Sequence, residues 1–372
     1  MVKHIHATQE KQFWLHDGRK LLTLHQLQEA LSDMNDATFR HHVDRNHNDF
    51  AAWSLDIFGD KKLADSIRKA GSRKSMINAI DNALKNAEMD KITDAHHLRE
   101  IANRIRQDLI KMLLNAGSGH SAGPLGMADI FTAFYFNLLN HKPRDPQWEE
   151  RDRLFLSNGH IVPIRYTTMA HAGYFPISEL MTLRKLHTRL QGHPERMRLP
   201  GVESTSGPLG SGLAQAAGYA YAARMDRRKF NVYCIASDGE HDSGNHWEAV
   251  LFAGKNKLQN LTLVIDRNNI QIDGYTENIM PLEPLADKYR AFNWHVIEID
   301  GHNMRQIIDS VNEAKAIYEK PTAIIAHVIP GKGISFMENL PEWHGKPPNA
   351  QEAKRALHEL RTLGGKIKSE HE

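Results

Sequence analysis

Apolar residues along the chain fall into two kinds of spacing. Up to about residue 90 they recur every three or four positions: Leu24, Leu27, Leu31 and Met34, then Phe50, Trp53 and Ile57, then Met76, Ile80 and Leu84. Each stripe is what one face of a helix needs to bury itself. Thr23 followed by Gln26 has the form of a capping box, and Gly59 and Gly71 punctuate the stripes. A small all-α N-terminal domain, residues 1–90, is expected. Beyond it, one amphipathic helix (Leu98, Ile101, Ile105, Leu109, Met112) leads into short strand-like runs at 154–156, 232–235, 261–265, 294–299 and 322–328, with helical spacing between several of them, as at 307–318. Strands alternating with helices predict an α/β fold, a doubly wound, mostly parallel sheet, over residues 91–372.

The most informative unit is 231–275. Its first strand stops at the turn-type cluster Ser237, Asp238, Gly239; helical spacing follows (Trp247, Val250, Ala253), and then a second strand. Twelve helical residues rise ~18 Å and six strand residues ~20 Å, so the chain returns to the sheet edge it left. A right-handed crossover makes the two strands parallel. Asp238 and Asn268 therefore meet at the carboxyl edge, where open α/β sheets bind ligands. A carboxylate, an amide oxygen and a main-chain carbonyl, for which Ile270 is placed, make an incomplete shell of oxygens. Such a shell suits Mg2+, with Ca2+ or Mn2+ as substitutes, and leaves positions for phosphate oxygens. Gly239 lets the backbone approach a phosphate, and the next helix offers unpaired N–H groups. A magnesium diphosphate site is expected.

Composition narrows the partners. The net charge of +2 lacks the basic excess of a nucleic-acid binder. The single cysteine, Cys234, excludes an internal disulfide and is expected to pack within its strand. No apolar run approaches the ~20 residues that span a bilayer, and no leader profile opens the chain. A soluble, cytoplasmic protein is expected, with neither membrane nor nucleic acid as partner. The chain has 23 histidines, so any single one is weak evidence. His41, His42, His47 and Asp44 match no zinc spacing and are expected on a solvated face between helices. Arg40 and Arg45 are interleaved with Asp36, Asp44 and Asp49, which speaks against a nucleic-acid surface.

Several loops bring small residues and single histidines together. NAGSGHSAGPLG, residues 115–126, surrounds His120 with more glycines than a helix cap requires. SNGH places His160 at a strand's carboxyl end, QGHPE places His193 beside a proline, and TSGPLGSG, 205–212, opens a helix rich in alanine and glycine. The long stretch GKGISFMENLPEWHGKPPN carries His344 between Trp343 and Gly345, and Lys332, expected as a surface charge.

With these neighbours, Asp238-Gly239 followed at a distance by Asn268-Asn269 resembles the thiamine diphosphate signature. Residues 93–360 resemble the cofactor-diphosphate half of transketolases, above all the N-terminal subunit of the split, two-chain form. The resemblance implies the thiamine diphosphate-binding fold and two cofactors, thiamine diphosphate and Mg2+. It implies that Asp238, Asn268 and the Ile270 carbonyl hold the metal. His160, Gly207, Pro208, Leu209, Asp238, Gly239, Asn268 and His344 would hold the cofactor. His120, His193 and His344 would contact the sugar: His120 over the reacting carbon in proton transfer, His193 at the donor's terminal hydroxyl, His344 at both diphosphate and substrate. Four positions depart from the family pattern: Ser121 and Ala122 replace proline and glycine, Ser237 replaces the signature's first glycine with a Cβ that would crowd the turn, and Ser243 replaces a glutamate that acts across the dimer. Glu248, one turn on, is retained.

Thiamine chemistry also needs a carboxylic acid beside the aminopyrimidine, and the family keeps that glutamate in a pyrimidine-binding domain. The chain runs out in a charged tail near Leu360, so half an active site is expected. The implied activity is two-carbon ketol transfer between ketose and aldose phosphates, as in the pentose phosphate pathway. The implied assembly is an α2β2 heterotetramer with a C-terminal, pyrimidine-binding subunit, and a homodimer when alone. Competing readings are the α subunit of a 2-oxoacid dehydrogenase and a non-catalytic, thiamine diphosphate-binding regulatory protein.

Overall fold

The computed structural model describes residues 7–44, 47–85 and 91–362. Arg45 and the charged tail past residue 362 lie outside the described residues. The first segment holds five helices, α1 (Leu24–Asp33), α2 (Asp36–His42), α3 (Asp49–Phe58), α4 (Lys61–Lys69) and α5 (Arg73–Lys85). Thr23 Oγ1 accepts from Gln26 N at 3.0 Å, while Gln26 Oε1 reaches back to Leu22 N at 2.6 Å, one residue beyond the reciprocal partner of a standard box. Asn35, Asn48 and Asp60 cap the next three helices. The predicted stripes meet in one core, with Leu24, Leu27, Phe50 and Ile80 fully buried.

The segment is helical as expected, with one added pair of two-residue strands, β1 (Phe13–Trp14) antiparallel to β2 (Lys20–Leu21), too short to leave an alternation to read. One expectation fails here: the histidines are not all on a solvated face. His42 is buried, its Nδ1 3.0 Å from Asp49 Oδ2 and its Nε2 accepting from His16 N at 3.0 Å, because α2 turns that side toward Phe13 and Phe50. Among the described residues no three His, Cys, Asp or Glu side chains come together in a way that could hold a metal ion.

The α/β part opens with the 22-residue α6 (Ala95–Ala116), capped by Asp94 and ended by Gly117 in the left-handed region. The short α7 (Ala122–Gly126) and α8 (Ala128–Ala133) follow. Five strands, β3 (Arg153–Leu156), β4 (Val232–Ser237), β5 (Leu261–Arg267), β8 (His295–Asp300) and β9 (Thr322–His327), form one parallel sheet in the order β3-β4-β5-β9-β8. A small antiparallel pair, β6 (Ile270–Gln271) with β7 (Gly274–Tyr275), sits just past β5. Period-two alternation sorts the strands' side chains between two cores. Tyr233 and Ile235 face the side of α6, α8, α9 (Val162–His171) and α14 (Met304–Ala316). Val232, Cys234 and Ala236 face α10 (Gly212–Met225), α11 (Gly244–Lys255) and α13 (Leu285–Ala291). Helices on both faces explain why β3, β4 and β5 are buried throughout, and Cys234 packs as expected.

Two features carry the fold's order to its carboxyl edge. The β4/β5 register sets Ser237 opposite Asp266, so Asp238 comes beside the chain leaving β5. Behind the sheet, Asp129 on α8 accepts from Arg106 Nη2 at 2.6 Å and pairs with His302 Nδ1 at 2.9 Å; His302 Nε2 in turn accepts from Ile329 N at 2.8 Å. That chain of bonds anchors the long loop that starts at Ile329. The loop is then held by Gly331 N donating to the Ala122 carbonyl at 2.8 Å and by buried Ile334 and Met337. Lys332 is carried inward with them and is buried, not a surface charge: its stem packs while the loop folds under.

Several neutral histidines are built into the packing. Burial lowers His25 to about 3 and His141 and His241 to about 4. Each binds its proton in the unfolded chain at higher pH than in the native one, so their contribution is fully present above about pH 6.5 and is lost as pH falls toward 4. Buried Asp238 and Glu240, shifted upward, oppose this in part. Thermal melts should show a lower midpoint at pH 5 than at pH 7.5; an equal or higher midpoint contradicts the neutral assignments.

Candidate active site at the carboxyl edge of the sheet

The end of β4 and the chain after β5 do meet. Asp238 is fully buried; its Oδ1 accepts from Gly239 N at 2.8 Å, and its Oδ2 accepts from Asn269 N at 2.7 Å and from Arg267 Nη1 at 3.1 Å. Asn268 Oδ1 accepts from Ile270 N at 3.0 Å, and its Nδ2 donates to Asp266 Oδ1 at 2.9 Å. Ile270 follows directly in β6. Burial pushes the Asp238 carboxyl upward, and Arg267 and the two N–H groups pull it back. Asp266, fully buried beside it, is pushed well up by burial and by the charge of Asp238, and its Oδ2 has no partner. Arg267 also pairs with Glu277 at 2.6 Å and Glu283 at 2.9 Å, so one guanidinium braces the carboxylate from outside.

Glu240 ties this edge to the neighbouring loops. Its Oε1 accepts from Ser157 Oγ and from Gly210 N at 2.8 Å; its Oε2 accepts from Ser237 N at 2.8 Å and Ser237 Oγ at 3.3 Å. Ser237 therefore does not crowd the turn as expected, because its side chain points to Glu240. Ser157 Oγ also accepts from Gly212 N, at the start of α10, at 3.0 Å. Gly210 has φ +81°, and a Cβ there would lie 2.5 Å from Ser243 Cβ, so the TSGPLG loop lies directly against the turn before α11. Within that loop Gly207 is partly buried, while Pro208 and Leu209 are exposed.

Three imidazoles cluster nearby in the fold's loops. Ring centroids are 5.0 Å apart for His120 and His160, 5.1 Å for His160 and His344, and 5.6 Å for His120 and His344. Gly119 reaches this place at φ +126°, where a Cβ would strike Leu113 at 2.8 Å. Ser121 Oγ donates to the Lys346 carbonyl at 2.6 Å, joining the loops that present His120 and His344; the departure from proline thus adds a cross-link. His193 lies at the rim, its ring 3.7 Å from where a Cβ of Gly207 would sit. Burial, with His344, Arg184 and His193, lowers His120 to about 4. Burial and neighbouring imidazoles lower His160 well below its ordinary value, and burial lowers His344. Burial and Arg184 lower His193. The cluster is neutral at pH 7, able to accept protons or to donate through N–H.

The arrangement fits a ligand with an anionic, metal-bound end and a polar body. Asn158 is fully buried with neither side-chain amide atom partnered, and His120 Nδ1 is also unpartnered. Buried polar groups are rarely left so. Asp238 and Asn268 carry hard oxygens at the carboxyl edge, each accepting from a main-chain N–H. Sequence reasoning missed Glu240, Arg184, Asn158 and Arg267. The signals were an acid directly after Asp-Gly and an arginine directly before Asn268.

Comparison with known proteins agrees with this geometry. The family model for the transketolase thiamine diphosphate-binding domain matches residues 97–364. The 6-deoxy-6-sulfo-D-fructose transketolase subunit of Clostridium sp. (strain MSTE9) is 43% identical over 267 residues, 72% of this chain and 97% of that protein. An apulose-4-phosphate transketolase subunit of Actinobacillus succinogenes is 39% identical over 71% of this chain and 96% of its own length. Among solved structures, the transketolase of Campylobacter jejuni superposes with a TM-score of 0.67 at 34% identity, covering 71% of this chain and 42% of that one. The Leishmania mexicana enzyme gives 0.68 at 32%, covering 71% and 41%. The chain thus spans less than half of these single-chain transketolases and nearly all of the subunits. Fold and site define a thiamine diphosphate-binding α/β protein. The chain belongs to the transketolase family, as the thiamine diphosphate-binding part that its split members carry on a chain of its own.

Proposed function

We propose that the chain works as the diphosphate-binding subunit of a cytoplasmic two-chain transketolase, in an α2β2 assembly with a pyrimidine-binding subunit. It would pass a two-carbon ketol unit from a ketose to an aldose. The observation that supports the reading is that Asp238 Oδ2 accepts from Asn269 N at 2.7 Å, bringing the end of β4 beside the chain after β5, with His120, His160 and His344 clustered. In this reading Asp238, Asn268 and the Ile270 carbonyl hold Mg2+, and His160, His344, Gly239 and the Gly207-Pro208-Leu209 turn hold thiamine diphosphate. The cofactor, when bound, supplies the nucleophilic carbon that takes up the ketol unit.

The chain's own residues do the rest. His120, kept neutral by burial, takes and returns a proton at a sugar hydroxyl; His344 supports it from 5.6 Å. His193 orients the donor's terminal hydroxyl from the rim. Glu240 holds three turns in register, and the buried loops exclude water from the reacting end. The relatives named for a sulfonated and a phosphorylated sugar favour a ketose with an anionic end group. Assays with a pyrimidine-binding partner should show turnover of xylulose 5-phosphate or 6-deoxy-6-sulfo-D-fructose and none of pyruvate; pyruvate turnover would favour a 2-oxoacid dehydrogenase.

Residues 1–90 are a separate unit in this reading, since their core is distinct from the two cores that flank the sheet. Removal of residues 1–88 should leave cofactor binding within about twofold, a change of only ~0.4 kcal/mol. A soluble truncated chain that fails to bind would refute the separation.

A further inference from the structure

The helical segment and the α/β part enclose a cavity of about 610 Å3 on the flank of α6. None of its lining residues belongs to the site above. Four cations line it: Lys20 from the helical segment, Arg104 and Lys111 from α6, and Arg361 from the last turn of α15 (Ala350–Thr362). Side-chain amides stand between them, Gln12 and Gln26 on one side, Asn103 and Gln107 on the other. Asp108 is the one carboxylate among the described lining residues, and it is already engaged by His171 Nε2 at 2.9 Å and Lys111 Nζ at 2.8 Å.

The remaining positive charge is only partly neutralised, by Glu100 beside Arg104. Lys20 and Arg361 are exposed and make no ion pair with a described residue. Arg104 is only 8% exposed; its Nε donates to the Glu100 carbonyl at 3.2 Å and its Nη1 to the Ala7 carbonyl at 3.5 Å, while its Nη2, in an ion pair with Glu100 Oε2 at 3.6 Å, has no hydrogen-bond partner. Asn103 is buried beside it, its Nδ2 donating to the Leu360 carbonyl at 3.0 Å and its Oδ1 unpartnered. A buried guanidinium N–H and a buried amide oxygen, both open, ask for an acceptor and a donor together. An anion alone satisfies only the first; an anion carrying hydroxyls satisfies both. Apart from His171 no ring lines the cavity, so a nucleobase finds no stacking face.

We propose that this cavity binds a sugar phosphate, separately from the candidate active site. Lys20, Arg104 and Arg361 meet the phosphate, and the side-chain amides meet the hydroxyls. Because Lys20 belongs to one part of the chain and Arg361 to the other, the ligand fastens the helical segment to the α/β part. The inference does not rest on the ketol-transfer reading.

Calorimetric titration of the full chain without its partner tests it, with fructose 6-phosphate, inorganic phosphate and fructose as probes. Fructose 6-phosphate should bind saturably and at least about tenfold more tightly than either other probe, the worth of one added polar anchor. The K20M/R361M chain changes two exposed side chains and should keep its fold, yet lose at least about tenfold in that affinity. R104Q should lose as much, whereas H193A, altered at the candidate active site, should bind as the parent does. Inorganic phosphate binding as tightly as the sugar phosphate would overturn the assignment. So would absence of binding, or binding that survives K20M/R361M and R104Q but not H193A.

Discussion

Purified free of any partner, the chain should transfer no ketol unit, and adding a pyrimidine-binding subunit should raise turnover from background by several orders of magnitude. In the proposed reading its described residues would supply oxygens for a metal, donors for a diphosphate and imidazoles for proton transfer. The acid that must sit beside the aminopyrimidine is expected on the other subunit, as the transketolase resemblance implies. Preorganised electrostatics and the activating acid each contribute orders of magnitude to rate, so losing one component removes most of the acceleration. The turn at Pro208 and Leu209, proposed to hold the cofactor, is exposed. Assay of donor cleavage before and after mixing the two purified subunits measures the effect; comparable turnover by the isolated chain would show that it carries a complete site.

D238N should weaken thiamine diphosphate binding by two orders of magnitude or more, about 3 kcal/mol. The substitution keeps the shape but removes the only charge the candidate metal shell contributes. Unfolding is not the expected outcome. Arg267 keeps Glu277 and Glu283 as partners, and an amide oxygen at the Oδ2 position still accepts from Asn269 N and Arg267 Nη1, with only the Gly239 N bond at the Oδ1 position lost. Removing a buried carboxylate also relieves Asp266, which is now forced upward by the neighbouring charge. Melting near the parent temperature together with lost binding fits this account; parent-like binding does not.

The sheet and the arrival of Asp238 beside the chain after β5 were legible because they follow from lengths and periods. Strands of six residues and a crossover helix of twelve close on themselves whatever side chains they carry, and the register of Ser237 with Asp266 follows. The histidine cluster was legible only through the family pattern, since each Gly-His step by itself is compatible with a surface turn. Glu240 was not legible, because its role exists only once Ser157, Gly210 and Ser237, far apart along the chain, arrive at the same carboxylate. Arg267 was hidden for the same reason: its partners come from the turn after β4 and from the stretch after β7.

Local features misled where tertiary packing reversed a residue's usual preference. Lys332 reads as surface from its charge but follows Ile334 and Met337 inward. His42 reads as one of a polar group but fills space against Phe13 and Phe50. The β1–β2 pair is too short for any period to appear. Ser237 departs from the family's glycine, and only the position of Glu240 explains how its hydroxyl is accommodated.

Electron paramagnetic resonance of Mn2+ tests the central claim most directly, because the free ion's spectrum diminishes when the ion is immobilised. Mn2+ mixed with the chain and thiamine diphosphate should lose its free-ion signal well beyond what either component removes alone, since metal and diphosphate bind cooperatively. D238N should leave the free-ion signal nearly unchanged. If the parent chain and D238N quench the signal equally, or thiamine diphosphate does not help the parent chain to do so, Asp238 and Asn268 do not share an ion that clamps the diphosphate.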